Sequence, residues 1–268
     1  TAGDRLIFVG YPLGGTTDET AWPAALDAAI ARLRPRLIAV MAAALPPPLA
    51  DCPASPPDAY YRLALADVRP DKKLRNLLRR AGRELTVREA ARFGPEHQRL
   101  VDAFLAQTPM DEGTRFIFER VGRYAGGKTL LDVLAGLMSR ARGRSAPKRP
   151  GAPLILEARD AAGRLVAFDI ATFGGEYAFY LFNFRARESY VPGASDLLLA
   201  QLIELARATG KRYLNLGLGI HAGVRNFKEK WGAMPFLAHV TCAWERPRAV
   251  WEEVWGAVHP GLAARAGE

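Results

Sequence analysis

The 268-residue sequence predicts an α/β protein of two lobes, divided as residues 1–145 and 146–268. Three observations support this. Residues 5–43 alternate strand, helix and strand. Residues 139–153 carry arginine, glycine and proline without apolar periodicity, which marks a boundary. Beyond them the order reads strand, strand, strand, helix, strand, helix, strand, the pattern of a mixed sheet flanked by helices.

The elements follow in order. RLIFVGYP (5–12) reads as a strand, AWPAALDAAIARLRP (21–35) as a helix, and RLIAVMAA (36–43) as a second strand. LPPPLADCPASPPD (45–58) is a loop, because proline removes backbone donors. YYRLALADV (60–68) alternates like a strand, and KKLRNLLRRAGRE (72–84) is a basic amphipathic helix. PEHQRLVDAFLAQTP (95–109) is a helix closed by Pro109. In and after RFIFERV (115–121), Ile117, Val121 and Tyr124 share one helical face. PLILEARD (153–160), RLVAFDIATF (164–173) and EYAFYLFNF (176–184) are strands joined by the turns DAAG (160–163) and GG (174–175). YVPGASD leads into the helix DLLLAQLIELARATG (196–210), which Gly210 ends. A buried strand RYLNLGLG (212–219), a short helix VRNFKEKWG (224–232) and a last strand PFLAHVTCAWE (235–245) complete the pattern.

Apolar residues make up 49% and charged residues 24%, a globular composition, and no run of eighteen apolar residues offers a membrane span. The start, TAGDRLIFVGYP, lacks the layout of a secretion signal. Cys52 and Cys242 lie far apart without metal-ligand spacing, and the four histidines are scattered. Two reduced thiols in a cytoplasmic protein, and no metal, are the expectation. The net charge of +9 favours an anionic partner such as tRNA, CoA or a phosphorylated substrate. Basic residues concentrate in 139–151 and in 69–84, where Lys72, Lys73, Arg75, Arg79 and Arg80 form a candidate nucleic-acid or anion patch.

GRYAGGKT (122–129) fits the phosphate-binding signature G-x-x-x-x-G-K-[ST], which makes a P-loop NTPase the alternative reading. Such a loop follows a central parallel strand, almost continuously apolar, whereas Glu119 and Arg120 precede this one. The chemistry also needs an aspartate at the end of a parallel strand to hold Mg²⁺. LVAFD (165–169) offers Asp169, but inside an apparent antiparallel hairpin, so the match is read as a decoy. GLGIHAG (217–223) has the wrong glycine spacing for a dinucleotide site.

The strand order after residue 153, together with LNLGLGIHAGVRNFKEKWGAMPF (214–236), resembles the GCN5-related acyltransferase (GNAT) superfamily. Within it the sequence is similar to the Fem-type peptidoglycan-bridge aminoacyltransferases and their two-lobed acetyltransferase-like relatives. KKLRNLLRRAGRELTV (72–87) resembles their arginine-rich helix. The resemblance implies two GNAT-like lobes, the first degenerate. It also implies direct acyl transfer from aminoacyl-tRNA or acyl-CoA to a small-molecule or peptide amine, with no covalent enzyme intermediate. The donor would lie where EYAFYLFNF and RYLNLGLG splay apart. A catalytically inactive GNAT-like module that binds RNA is a further alternative.

On this resemblance, backbone N–H groups near Phe182, Asn183 and Phe184 polarise the donor carbonyl. Lys228 matches the lysine of the Fem-type F-K motif, where an ammonium neutralises the developing oxyanion or a donor phosphate. Tyr190 is a candidate general acid, Asn215 a holder of substrate or water, and His221 a base. Gly217, Asn226 and Lys230 complete the expected donor site. CoA-dependent members cradle pyrophosphate with a Q/R-x-x-G-x-G/A loop, and VPGASD (191–196) stands in its place. Ser195 is the candidate N-cap, and Asp196 puts a carboxylate in the first helical turn, where a phosphate would otherwise sit. Two anions there repel, which tilts the donor toward aminoacyl-tRNA.

Overall fold

The computed structural model describes residues 5–11, 21–45, 49–52, 54–110, 112–126, 152–188 and 190–245. In chain order the first elements are β1 (Arg5–Val9), α1 (Ala21–Leu33), β2 (Leu37–Ala42), β3 (Asp58–Ala64), α2 (Lys72–Glu84), β4 (Leu85–Glu89), α3 (Pro95–Gln107), α4 (Glu112–Phe118) and α5 (Val121–Gly126). Then come β5 (Leu154–Asp160), β6 (Leu165–Gly174), β7 (Tyr177–Arg185), α6 (Ala194–Ala208), β8 (Tyr213–Leu218), α7 (Ala222–Glu229) and β9 (Met234–Glu245). The order from β5 to β9 is the one the sequence predicts. Strand β4 is an addition, five residues that follow α2 without a break.

Contacts group the chain into two units, Thr1–Tyr60 with Leu218–Ile220 and Pro235–Glu268, and Tyr61–Gly217 with His221–Met234. The expected cut between 145 and 146 lies outside the described residues, and the grouping joins 61–126 to the strands after residue 152. In the first unit β1 runs parallel to β2, and β2 antiparallel to β9. The parallel pair requires a crossover, and α1 supplies it, burying Leu26 and Ile30 with Ile38 and Val40. Cys52 and Cys242 are joined in a disulfide, which corrects the expectation of two free thiols. Their separation of 190 residues hid a proximity that only the return of β9 beside β2 creates.

In the second unit the strands lie in the order β8, β7, β6, β5, β4. All are antiparallel except β7 with β8, whose connection is α6. One face, with Leu154, Leu156, Val166, Ala178 and Leu214, packs under Leu198, Leu202 and Ile203 of α6 and Leu74 of α2. The other face puts Phe168, Ile170 and Phe184 against Val101 and Leu105 of α3 and Val121 of α5. Each fully buried Leu or Phe adds roughly 1.5–3 kcal/mol, so the strands that carry the site are clamped from both sides.

The structure bears on the NTPase alternative directly. Residues 122–126 belong to α5, which follows helix α4 and no strand, and 127–129 lie outside the described residues. Asp169 sits on β6, antiparallel to both β5 and β7. The end of a parallel strand, where Mg²⁺ would be held, is not its position.

Candidate active site

β7 and β8 pair for three positions, Tyr177 with Tyr213, Ala178 with Leu214 and Phe179 with Asn215. Both strands continue, to Arg185 and Leu218, so past Phe179 they diverge and open a gap. On its other edge β7 stays with β6, but Leu181 is an extra residue: Ile170 faces Phe182 while Ala171 faces Tyr180. Such a bulge bends the strand and breaks the ladder locally. Backbone groups of β7 past the bulge therefore face a gap in place of a β8 ladder, an arrangement suited to an incoming oxygen.

Phe182 and Phe184 turn their rings into the aromatic cluster with Phe118, leaving only their backbone for the gap. Asn183 points the opposite way. Its Nδ2 donates to Asp169 Oδ1 at 2.6 Å, and its Oδ1 accepts from Ser195 Oγ at 3.0 Å. Asp169 has 0% exposure. Burial pushes its carboxyl up to about 8, against the lowering pull of the Asn183 hydrogen bond, so it is largely a neutral acid at pH 7. The same burial, with Asp169 alongside, raises the Tyr180 phenol well above its ordinary value.

Two expectations about the start of α6 are corrected. The N-cap is Gly193, in the left-handed region at φ 86, and the Ser195 hydroxyl is spent on Asn183. Asp196 is not a free anion. It is buried, with Lys230 Nζ 2.7 Å from Oδ1 and Trp231 Nε1 donating to Oδ1 at 2.9 Å. The end of α7 folds back onto the first turn of α6 and neutralises the carboxylate. The repulsion that tilted the donor away from CoA is thereby removed, and Lys230 is committed to Asp196.

Lys228 is a buried lysine on the inward face of α7. It is 3% exposed, with Nζ 5.6 Å from the Tyr61 ring centroid. A Cβ on Gly217, whose φ is 75, would stand 3.9 Å from that Nζ. Asn215 Oδ1 accepts the Gly217 N–H at 2.8 Å, which fixes the backbone near the end of β8. The structure thus gathers Asn215, Gly217 and Lys228 at one lip of the gap, and Asn183, Ser195, Asp196 and Lys230 at the other. It does not gather the rest. His221 is exposed and caps α7, its Nδ1 accepting from the Val224 N–H at 3.4 Å. Asn226 is exposed on α7, and Tyr190 is 55% exposed with the Arg185 guanidinium 5.3 Å from its ring.

Lys72, Lys73, Arg75, Arg79 and Arg80 are all exposed on α2, while the cluster at 139–151 lies outside the described residues. Arg80 lies 3.5 Å from Glu84, and Arg79 donates to Asn76 at 2.8 Å. Among the described residues no group of His, Cys, Asp or Glu suits a metal. No helix of the described residues is long and apolar enough to cross a membrane. Sequence reasoning missed Asp169 and Tyr180 as parts of the site. The available signal was one acidic residue inside the otherwise apolar run LVAFDIA, which was read only against the NTPase pattern.

No protein-family model matches the chain, nor does any curated protein sequence. Solved structures do match. L-PGS from Bacillus licheniformis is 16% identical, with a TM-score of 0.54 over 98% of this chain and 84% of its own. The C-terminal domain (DUF2156) of a protein described as a putative lysylphosphatidylglycerol synthetase from Agrobacterium fabrum is 16% identical, with a TM-score of 0.55 over 96% and 82%. A GCN5-related N-acetyltransferase from Kribbella flavida is 14% identical, with a TM-score of 0.52 over 90% and 82%. A mixed sheet flanked by helices, with a bulged strand diverging from its parallel neighbour, is thus the GNAT fold.

Proposed function

We propose that the chain transfers an acyl or aminoacyl group from an activated carrier to an amine by direct attack, without a covalent enzyme intermediate. The observation that carries this reading is the three-pair contact of β7 with β8, followed by divergence past the Leu181 bulge. A carbonyl seated in that gap has its oxygen against the N–H groups of 182–184. The amine nitrogen attacks, a C–N bond forms, and the tetrahedral oxyanion collapses by breaking the C–O bond of an aminoacyl ester or the C–S bond of a thioester. The amine proton passes to a base or water, and the departing alcohol or thiol takes a proton. Lys228, beside Gly217, neutralises the oxyanion or a donor phosphate. Tyr190 and His221 stand apart from the residues gathered at the gap, so water is given both proton transfers. Residues 1–145 are assigned the part of the degenerate lobe.

Aminoacyl-tRNA is the favoured carrier and acyl-CoA the second. Support for the first is the exposed cationic face of α2, which suits a long phosphate backbone. A small-molecule or peptide amine is the acceptor. Calorimetry with uncharged tRNA and with CoA, at low and moderate salt, tests the carrier. Tight tRNA binding that weakens steeply with salt, and is lost on Arg79→Glu with Arg80→Glu, supports the assignment. CoA binding that is indifferent to those substitutions, with no binding of tRNA, reverses it.

A further inference from the structure

Four polar side chains beneath α6 form a connected group that the transfer chemistry above leaves without a task. Asp169 is the centre. Its neighbours on β6, Ala167, Phe168, Ile170 and Ala171, are all fully buried and apolar. The Tyr180 phenol, the Asn183 amide and, through Asn183, the Ser195 hydroxyl complete the group. An apolar side chain would be cheaper to bury there, so stability does not explain the carboxyl. What it touches does. Asn183 is its cross-strand partner, two residues past the Leu181 bulge on the part of β7 that has left β8. Asn183 uses its amide N–H on Asp169 and its amide oxygen on Ser195, the second residue of α6.

We propose that Asp169 is a positioning residue for acyl transfer. Acting through Asn183 and Ser195, it ties β7 beyond the bulge to the first turn of α6 and fixes the backbone that meets the acyl carbonyl. The assignment rests on the acyl-transfer reading of the gap. The groups around Asp169 are Tyr180 and Asn183 on β7, Ser195 and Asp196 on α6, and Leu156 opposite on β5, with Lys230 paired to Asp196. The Asp196 carboxylate is already paired with Lys230, so burial dominates the titration of Asp169. The Asn183 N–H donates to either form of the acid, more strongly to the carboxylate, so the tie holds on both sides of the titration and ionisation changes the surroundings of its amides.

The test follows the backbone amides of Phe182, Asn183 and Phe184 and the Asn183 side-chain amide by NMR on the full chain, from about pH 6 to about pH 10. Expected is one shared transition with a midpoint at about 8. Asp169→Asn, which still accepts from Asn183, abolishes the transition and keeps these amides protected from exchange. Asn183→Ala exposes them to exchange and lowers kcat by up to about a hundredfold, with KM little changed, in a transfer assay using acetyl-CoA and charged tRNA as probes. A transition that survives Asp169→Asn, or amides indifferent to Asn183→Ala, overturns the tie. Amides that respond while kcat stays at the wild-type value overturn its role in transfer. A wild type that transfers from neither probe, with the NMR transition intact, sinks the activity reading and leaves the tie standing.

Discussion

His97 illustrates how single residues set the behaviour of this chain. Its Nδ1 accepts the Gly94 N–H at 3.0 Å, and its Nε2 lies 3.0 Å from Glu157 Oε1. Burial holds the imidazole below its ordinary pKa, only partly opposed by Glu157. Glu157 is held low by Arg159 and Arg88, whose hydrogen bonds outweigh its burial. The unfolded chain binds a proton on histidine near pH 6.5 while the folded one resists. Stability from this pair is therefore present above that pH and is lost as pH falls below it. His97→Gln should lower Tm at pH 7 yet lose less Tm than the wild type between about pH 7 and about pH 5. Parallel Tm curves for the two proteins would show that His97 does not drive the acid limb. Lys228 carries a second prediction. It is buried, so Lys228→Met, which keeps the packing, is a cleaner probe than alanine. Transfer should slow by roughly a hundredfold or more, equivalent to ~3 kcal/mol, with Lys228→Arg restoring only part. A methionine variant that turns over like the wild type removes Lys228 from the mechanism.

At the scale of elements, the junction of α2 with α6 is the tightest constraint near the site. Gly193 has φ 86, and a Cβ there would stand 2.9 Å from Leu77 Cγ. Gly193→Ala combines left-handed strain with a clash, at roughly 1–3 kcal/mol, and should lower Tm and blunt transfer together. An unchanged Tm would mean that α2 yields freely. The order of elements from β5 to β9 was legible because their apolar spacing switches cleanly between two and near four, with Gly163, Gly175, Gly210 and Gly232 at the ends in left-handed conformations. The strand β4 was not legible, since LTVRE carries two charges and continues straight from α2. The start of α6 was misread because serine and aspartate have strong local cap preference, which a tertiary partner for each overrode. The inward face of α7 was hidden in the same way. An eight-residue helix offers too little periodicity to tell that Lys228 is buried while Lys230 is exposed.

For the whole molecule, the disulfide sets the compartment question against the cytoplasmic expectation, since such bonds persist in oxidising surroundings. Closing a loop across 190 residues stabilises by about 5 kcal/mol in the chain-entropy account. Reductant should therefore lower Tm by several degrees, and thiol titration of the native protein should find none. Two titratable thiols in protein taken straight from the cytoplasm would return the cysteines to the reduced state.

The central claim is acyl transfer by direct attack in the gap between β7 and β8. Single-turnover transfer from isotope-labelled aminoacyl-tRNA and acyl-CoA to a panel of amines tests it most directly, with rapid quench and mass spectrometry of the intact protein. The account predicts label moving from one carrier to an amine in a single phase, with the protein mass unchanged throughout. Label accumulating on the protein before the product forms, or no transfer from either carrier, would contradict it.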